Sequence, residues 1–273
     1  MFKQRIIIEH FGPIQNVELE LTRLNAFIGE QASGKSTIVK AVYFFKIIRD
    51  DFIKQVFSSI ANKSWEKKFI GEFAKTIRKR FIDFWGQTFH LDEISLKFFY
   101  DENHWISISL KQPNKFVDPL FSTSFETGIF EIIDFAKSES ARIEKKAAIN
   151  ISLGDEYAIE TEKSMLNQAI IEQINNLFHE SRKLLFIPAG RSLISLLTDH
   201  LSGIAERQLD QISHTFIREI LSNQRFFNHD LKTLINMKRL TSKHIPADNE
   251  TLKVAANIIK NILKGDYRFD KDG

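Results

Sequence analysis

The sequence predicts an α/β fold. Three observations carry that prediction: short β-favouring runs crowd the N-terminus, a glycine-punctuated stretch, GEQASGKS at 29–36, separates the last of these runs from a helically periodic segment, and a strand-turn-strand pattern recurs near residue 100. Further on, long charge-rich segments with helical periodicity take over.

Taken in order, Arg5 to Glu9, Val17 to Leu21 and Leu24 to Ile28 read as three strands, separated by turns at Gly12-Pro13 and Arg23. The middle run alternates Val17, Leu19 and Leu21, the period of a half-buried strand. From Thr37 to about Ile60, Ile38, Val42, Phe45 and Ile48 recur at helical spacing. Trp65, Phe69, Phe73, Ile77 and Phe81 give a second helix an aromatic stripe, which reads as core and not as a base-stacking surface. Ile94 to Tyr100 and His104 to Leu110 form a hairpin around the turn-rich Asp101-Glu102-Asn103. Helices are expected over Phe125 to Ala148 and Glu162 to Glu180, with a short β-like interlude from Ala148 to Leu153. Lys183 to Ile187 reads as a compact apolar strand stopped by Pro188-Ala189-Gly190-Arg191, and Ser192 to Lys264 as mainly helical. The expected organisation is an N-terminal lobe with an antiparallel layer (1–112), a helical insertion (113–182), a returning core strand (183–191) and a helical lobe (192–273).

The GEQASGKS stretch matches G-x-x-x-x-G-K-[ST], the phosphate-binding P-loop pattern of nucleoside-triphosphate-binding proteins. Its chemistry explains its composition. Gly29 and Gly34 permit a tight wrap that turns backbone N–H groups inward, and Glu30, Gln31, Ala32 and Ser33 supply the loop between them. The following helix N-terminus adds a favourable potential for phosphate. Lys35 is expected to reach the β- and γ-phosphates, Ser36 to place its hydroxyl on Mg²⁺, and Thr37 to make a secondary phosphate contact. The loop therefore implies a nucleoside triphosphate and Mg²⁺ as ligands.

Bulk properties narrow the classes further. Hydrophobic residues make up 43% of the chain, enough for a packed core, so a disordered chain is excluded. No apolar run approaches the length of a membrane span, and the N-terminus lacks the apolar stretch of a secretion signal, so a cytoplasmic protein is expected. The chain has no cysteine, which excludes disulfides and thiolate metal sites. A formal net charge of +3 points to no particular partner, and the local cluster Lys75, Arg78, Lys79 and Arg80 reads as a solvated helix face. The eight histidines include no pair at H-x-x-x-H spacing, which argues against zinc.

The N-terminal strand running into Phe11-Gly12-Pro13-Ile14, the strand Val17 to Leu21, FIGEQASGKST and the later hairpin together resemble the ABC-type ATPase head of the RecF, structural-maintenance-of-chromosomes and OLD-like group, many of whose bacterial members are labelled AAA. FIPAGR at 186–191 is similar to the strand ending in Pro-x-x-Arg or Pro-x-x-Asp that several such proteins carry where transporter ATPases have a Q-loop. The resemblance is sharp over 1–45 and 183–192, and the absence of long heptad arms favours the short-insertion RecF-like or OLD-like branch.

That resemblance implies a P-loop NTPase with an ABC-ATPase-like head, an antiparallel β-subdomain and a helical insertion. It also implies a Walker B strand ending in Asp-Glu and a serine-glycine signature, neither of which is read here. Asp134 and Asp199 sit in helically periodic stretches, and Leu201-Ser202-Gly203 is broken by Ile204-Ala205-Glu206. The C-terminal part of the head is therefore expected to be missing, leaving a chain that binds ATP but hydrolyses it poorly by itself. Arg191, just past an apolar strand, is a candidate phosphate sensor or a salt-bridge partner of Asp199 or Glu206. His10 reads as a turn histidine, and Gln87 and Gln112 lack a strand-to-helix context for a Q-loop. Three functions follow: a nucleotide-dependent dimerisation switch in DNA repair or phage defence, acting on DNA or a nuclease effector as a homodimer or with a C-terminal companion chain; a non-hydrolysing regulatory module; or a transporter-type ABC ATPase.

Overall fold

A computed structural model describes residues 3–65, 69–87, 93–111, 116–149, 153–188 and 212–219. The chain divides into two compact units, Met1–Phe186 and Ile187–Gly273.

The first unit is built on a five-stranded antiparallel sheet. Its strands are β1 (Arg5–Phe11), β2 (Ile14–Glu20), β3 (Ser95–Phe99), β4 (Trp105–Lys111) and β5 (Phe116–Phe121), in the order β2-β1-β3-β4-β5. The register shows why these residues make strands. Leu19, Ile6, Phe98, Ile106 and Phe121 fall in one cross-strand row, and Val17, Ile8, Leu96, Ile108 and Pro119 in another. Period-two alternation thus puts one apolar face of every strand on the same side. Ile6, Ile8, Leu96, Phe98, Ile106 and Ile108 are completely buried.

Helix α1 (Lys35–Ala61) lies along that face, with Phe45 stacked on Phe98 at 5.4 Å and the Tyr100 hydroxyl donating to the Phe45 carbonyl at 2.7 Å. Helix α2 (Phe69–Trp85) presents Phe69, Phe73, Ile77 and Phe81 of the expected aromatic stripe to the core, together with Phe84; Trp65, expected to open the stripe, lies before the helix and is only half-buried. Helices α3 (Thr123–Ile149) and α4 (Leu153–Phe178) form an antiparallel pair packed on α1. In the second unit the described residues 212–219 form one helical segment, with Ile212, Phe216 and Ile217 buried; the rest of the expected helical lobe lies outside the described residues.

Ion pairs lock α1 in place. Asp51, buried in α1, takes a two-pronged hydrogen bond from Arg80 of α2. The Arg49 guanidinium donates to the carbonyls of Glu180 at 2.7 Å and Arg182 at 3.0 Å, and Lys46 pairs with the Glu180 carboxylate at 2.9 Å. The basic cluster on α2 is therefore not only a solvated face: Arg78 donates to the Val117 carbonyl and Arg80 holds Asp51.

Four expectations are corrected. Leu24 to Ile28 is not a strand, because Thr22 and Asn25 close a local turn through their side chains. The Thr22 N–H donates to Asn25 Oδ1 at 3.0 Å and the Asn25 amide to the Thr22 carbonyl at 2.9 Å, in place of ladder bonds. Lys183 to Ile187 is not a strand; Arg49 captures the carbonyls of Glu180 and Arg182 just before it. The interlude from Ala148 to Leu153 is not β-like, since Ala148 ends in α3 and Leu153 opens α4, with 150–152 outside the described residues. The sheet also continues past residue 112 through β5, whose Pro119 is tolerated because the strand lies at the edge of the sheet.

Candidate functional site

The segment 29–34 forms a tight loop running directly into α1. Its backbone requires the residues it has. Gly34 adopts φ 89°, a left-handed conformation open to glycine at little cost, and Ala32 also has positive φ. A Cβ on Gly34 would stand 2.7 Å from Ile14 Cγ1 and 3.3 Å from Pro13 Cγ. The tip of the β1–β2 hairpin, whose first turn residue Gly12 has φ 60°, thus forms the floor under the loop's glycine. That contact explains why FGPI and GKS belong together although nineteen residues part them in the chain.

The lysine closes the ring. Lys35 Nζ donates to the carbonyl of Gly29 at 2.8 Å, to that of Glu30, and to Ser33 Oγ at 3.1 Å. An ammonium held over a ring of carbonyls and a helix N-terminus with no acidic residue in its first turn makes the cradle electropositive. Gly29 to Ser33 and Ser36 are exposed, Lys35 and Thr37 half-buried, so the ring faces outward where a phosphate chain can enter. The Gly34 carbonyl accepts the Ile38 N–H at 3.0 Å, starting the helix at the loop's edge. The residue types fit a bound triphosphate: Gly29 to Gly34 would supply the backbone wrap, Lys35 the cation, and Ser36 a hydroxyl for Mg²⁺.

Of the other residues singled out in the sequence, Arg191, Asp199, Glu206 and the Leu201-Ser202-Gly203 stretch lie outside the described residues, as does Gln112. Phe186 packs on Tyr43 of α1 with ring centroids 5.5 Å apart, about two turns from Lys35. Asp134 is exposed on α3, as a surface carboxylate would be, and Gln87 follows α2 without a strand. His10 is exposed at the end of β1 with φ 51°. Sequence reading missed the buried Arg49, Lys46 and Glu180 set and a cluster of Asp101, His104 and His179. A cation one turn from another on a helix gives no hint of a carboxylate more than a hundred residues away.

Between the start of β1, α1 and the end of α4 lies a cleft of about 630 Å³ lined by Gln4, Thr22, Asn25, Lys46, His179 and Glu180 among others. It does not include the loop's own residues.

A GxxxxGKS loop running into a helix, with its lysine folded over the loop, is the mark of the P-loop NTPase class. Within that class the chain belongs to the AAA ATPase domain family, whose model matches residues 1–271 of the 273. The family carries ATP-binding, ATPase-like function and implies nucleotide binding, usually with Mg²⁺. No curated protein and no solved structure matches the chain. Among the described residues no helix is long and apolar enough to cross a membrane.

Proposed function

We propose that residues 29–37 hold ATP with Mg²⁺ and that the chain is a nucleotide-dependent switch of the RecF-like or OLD-like type. The observation carrying this reading is Lys35: its ammonium is bound to the carbonyls of Gly29 and Glu30, a position from which it can exchange those carbonyls for the oxygens of an entering phosphate chain. The loop N–H groups and the helix N-terminus orient the phosphates, and Ser36 contributes a metal-facing hydroxyl. Mg²⁺, when bound, neutralises charge between the β- and γ-phosphates.

In this reading ATP is shared between two heads, as a homodimer or with a companion chain that supplies the Walker B and signature groups, and the closed state engages DNA or a nuclease effector. The resemblance over 1–45 supports it, as do Leu24 and Ile28, apolar residues leading into the loop that are 86% and 96% exposed. Arg191 would report the phosphate to that partner. Slow turnover by the isolated chain belongs to the same reading, since in-line attack needs a group to position water. A regulatory module that binds ATP without association is the second reading, and a transporter-type ATPase the third.

Titrating the full chain with a fluorescent ATP analogue and Mg²⁺ tests the site: binding is expected in the wild type and lost in Lys35→Ala. Analytical ultracentrifugation separates the readings. A sedimentation shift with ATP but not ADP supports the switch, binding without a shift supports the regulatory module, and binding unaffected by Lys35→Ala rejects the site.

A further inference from the structure

We propose that Asp101, His104 and His179 form a binding site for a divalent transition-metal ion of the zinc class, separate from the nucleotide loop. One potential ligand atom from each residue lies within 4.8 Å of the others. Asp101 Oδ2 stands 2.7 Å from His104 Nδ1 and 2.8 Å from His179 Nε2. The residues come from two distant places, the turn between β3 and β4 and the first position after α4, so the fold, not local sequence, assembles them.

The scaffold beneath the cluster is rigid. Asp101 Oδ1 accepts the backbone N–H groups of Asn103 at 2.8 Å and His104 at 2.7 Å, which fixes the carboxylate. Tyr100 and Phe178, each immediately preceding a ligand, are buried against one another with centroids 5.2 Å apart. The Phe125 ring flanks His104, and the Gln4 side chain donates to the His179 carbonyl at 3.2 Å. His179 itself adopts φ 46°, a conformation uncommon for a residue with a Cβ, which turns its ring back toward Asp101.

Two imidazole nitrogens and one carboxylate oxygen form a donor set suited to Zn²⁺, Co²⁺ or Ni²⁺; all-oxygen sets suit Mg²⁺ and Ca²⁺. With metal–ligand distances of about 2.0–2.1 Å the three atoms need separations of roughly 3.3 Å in a tetrahedral site, so the Asp101 oxygen would part from each histidine nitrogen by about half an ångström. His179, 48% exposed, has room to do so. Each ring would bind through the nitrogen now facing Asp101 and carry its proton on the other. Water would complete the coordination. The ion would join the β3–β4 turn to the end of α4, just where Glu180 begins the passage along α1.

The test uses the full 273-residue chain without nucleotide, freed of metal by chelation. Zn²⁺ titration by calorimetry and Co²⁺ absorption are expected to show one ion per chain, with a rise in melting temperature. His104→Gln, His179→Gln and Asp101→Asn should each weaken binding at least about tenfold, with folding verified by circular dichroism, while His10→Asn leaves it unchanged. No uptake by the wild type, or equal uptake by the three variants, overturns the proposal and leaves a hydrogen-bonded clamp only.

Discussion

At the scale of single residues, the molecule depends on positions where one atom decides the outcome. Gly34 is one. An added methyl group meets Ile14 at 2.7 Å and forces φ 89° on a residue with a Cβ. The conformational part alone costs about 1–2 kcal/mol. Gly34→Ala should therefore lower stability by at least about 1 kcal/mol in urea unfolding and abolish nucleotide binding; Ile14→Ala in the same chain should relieve the collision but not the backbone strain. Glu180 is another. Burial alone would raise its pKa, but the Lys46 hydrogen bond and charge, the Arg182 N–H and the Arg182 charge together hold it below the usual glutamate value. Because the folded value lies below the unfolded one of about 4.3, its contribution is complete above that pH and is lost as pH falls through the folded value. Unfolding measured from about pH 5 down to about pH 3 should thus show a steeper loss of stability in the wild type than in Glu180→Gln.

Elements are held by rows of aromatic rings, and their failure should be graded by burial. Phe73 of α2, fully buried, packs on Phe52 at 5.0 Å and on Phe121 of β5 at 5.7 Å, so Phe73→Ala should cost about 3–5 kcal/mol. Leu120, half exposed on the same edge strand, should tolerate Ser within about 0.5 kcal/mol in the same denaturation assay. The stripe on α2, the first helix and the β3–β4 hairpin were legible in the sequence because each carries its own period over many residues. β5 was hidden by its internal proline, which excludes a central strand but not an edge one. Leu24 to Ile28 and Lys183 to Ile187 misled because apolar composition reports a preference for burial and says nothing of a hydrogen-bonding neighbour. The phosphate loop was legible because all its groups are contiguous. The Asp101, His104 and His179 cluster was not, because one ligand lies 75 residues from the others' turn and no spacing encodes that distance.

For the whole molecule, ligand and stability are coupled. Binding confined to the folded state adds about 2.7 kcal/mol at a hundredfold excess over Kd. For a chain of this size that is a rise of about 5–10 °C in melting temperature, expected in differential scanning fluorimetry with ATP and Mg²⁺ and lost in Lys35→Ala. The hairpin tip under Gly34 also acts as a length gauge. Ile14 touches the loop only because the Gly12-Pro13 turn has two residues; one more would move every following side chain of β2 to the opposite face and withdraw the floor. Insertions should accordingly be barred at this turn however exposed it is, and drift in length across related chains should gather elsewhere on the surface.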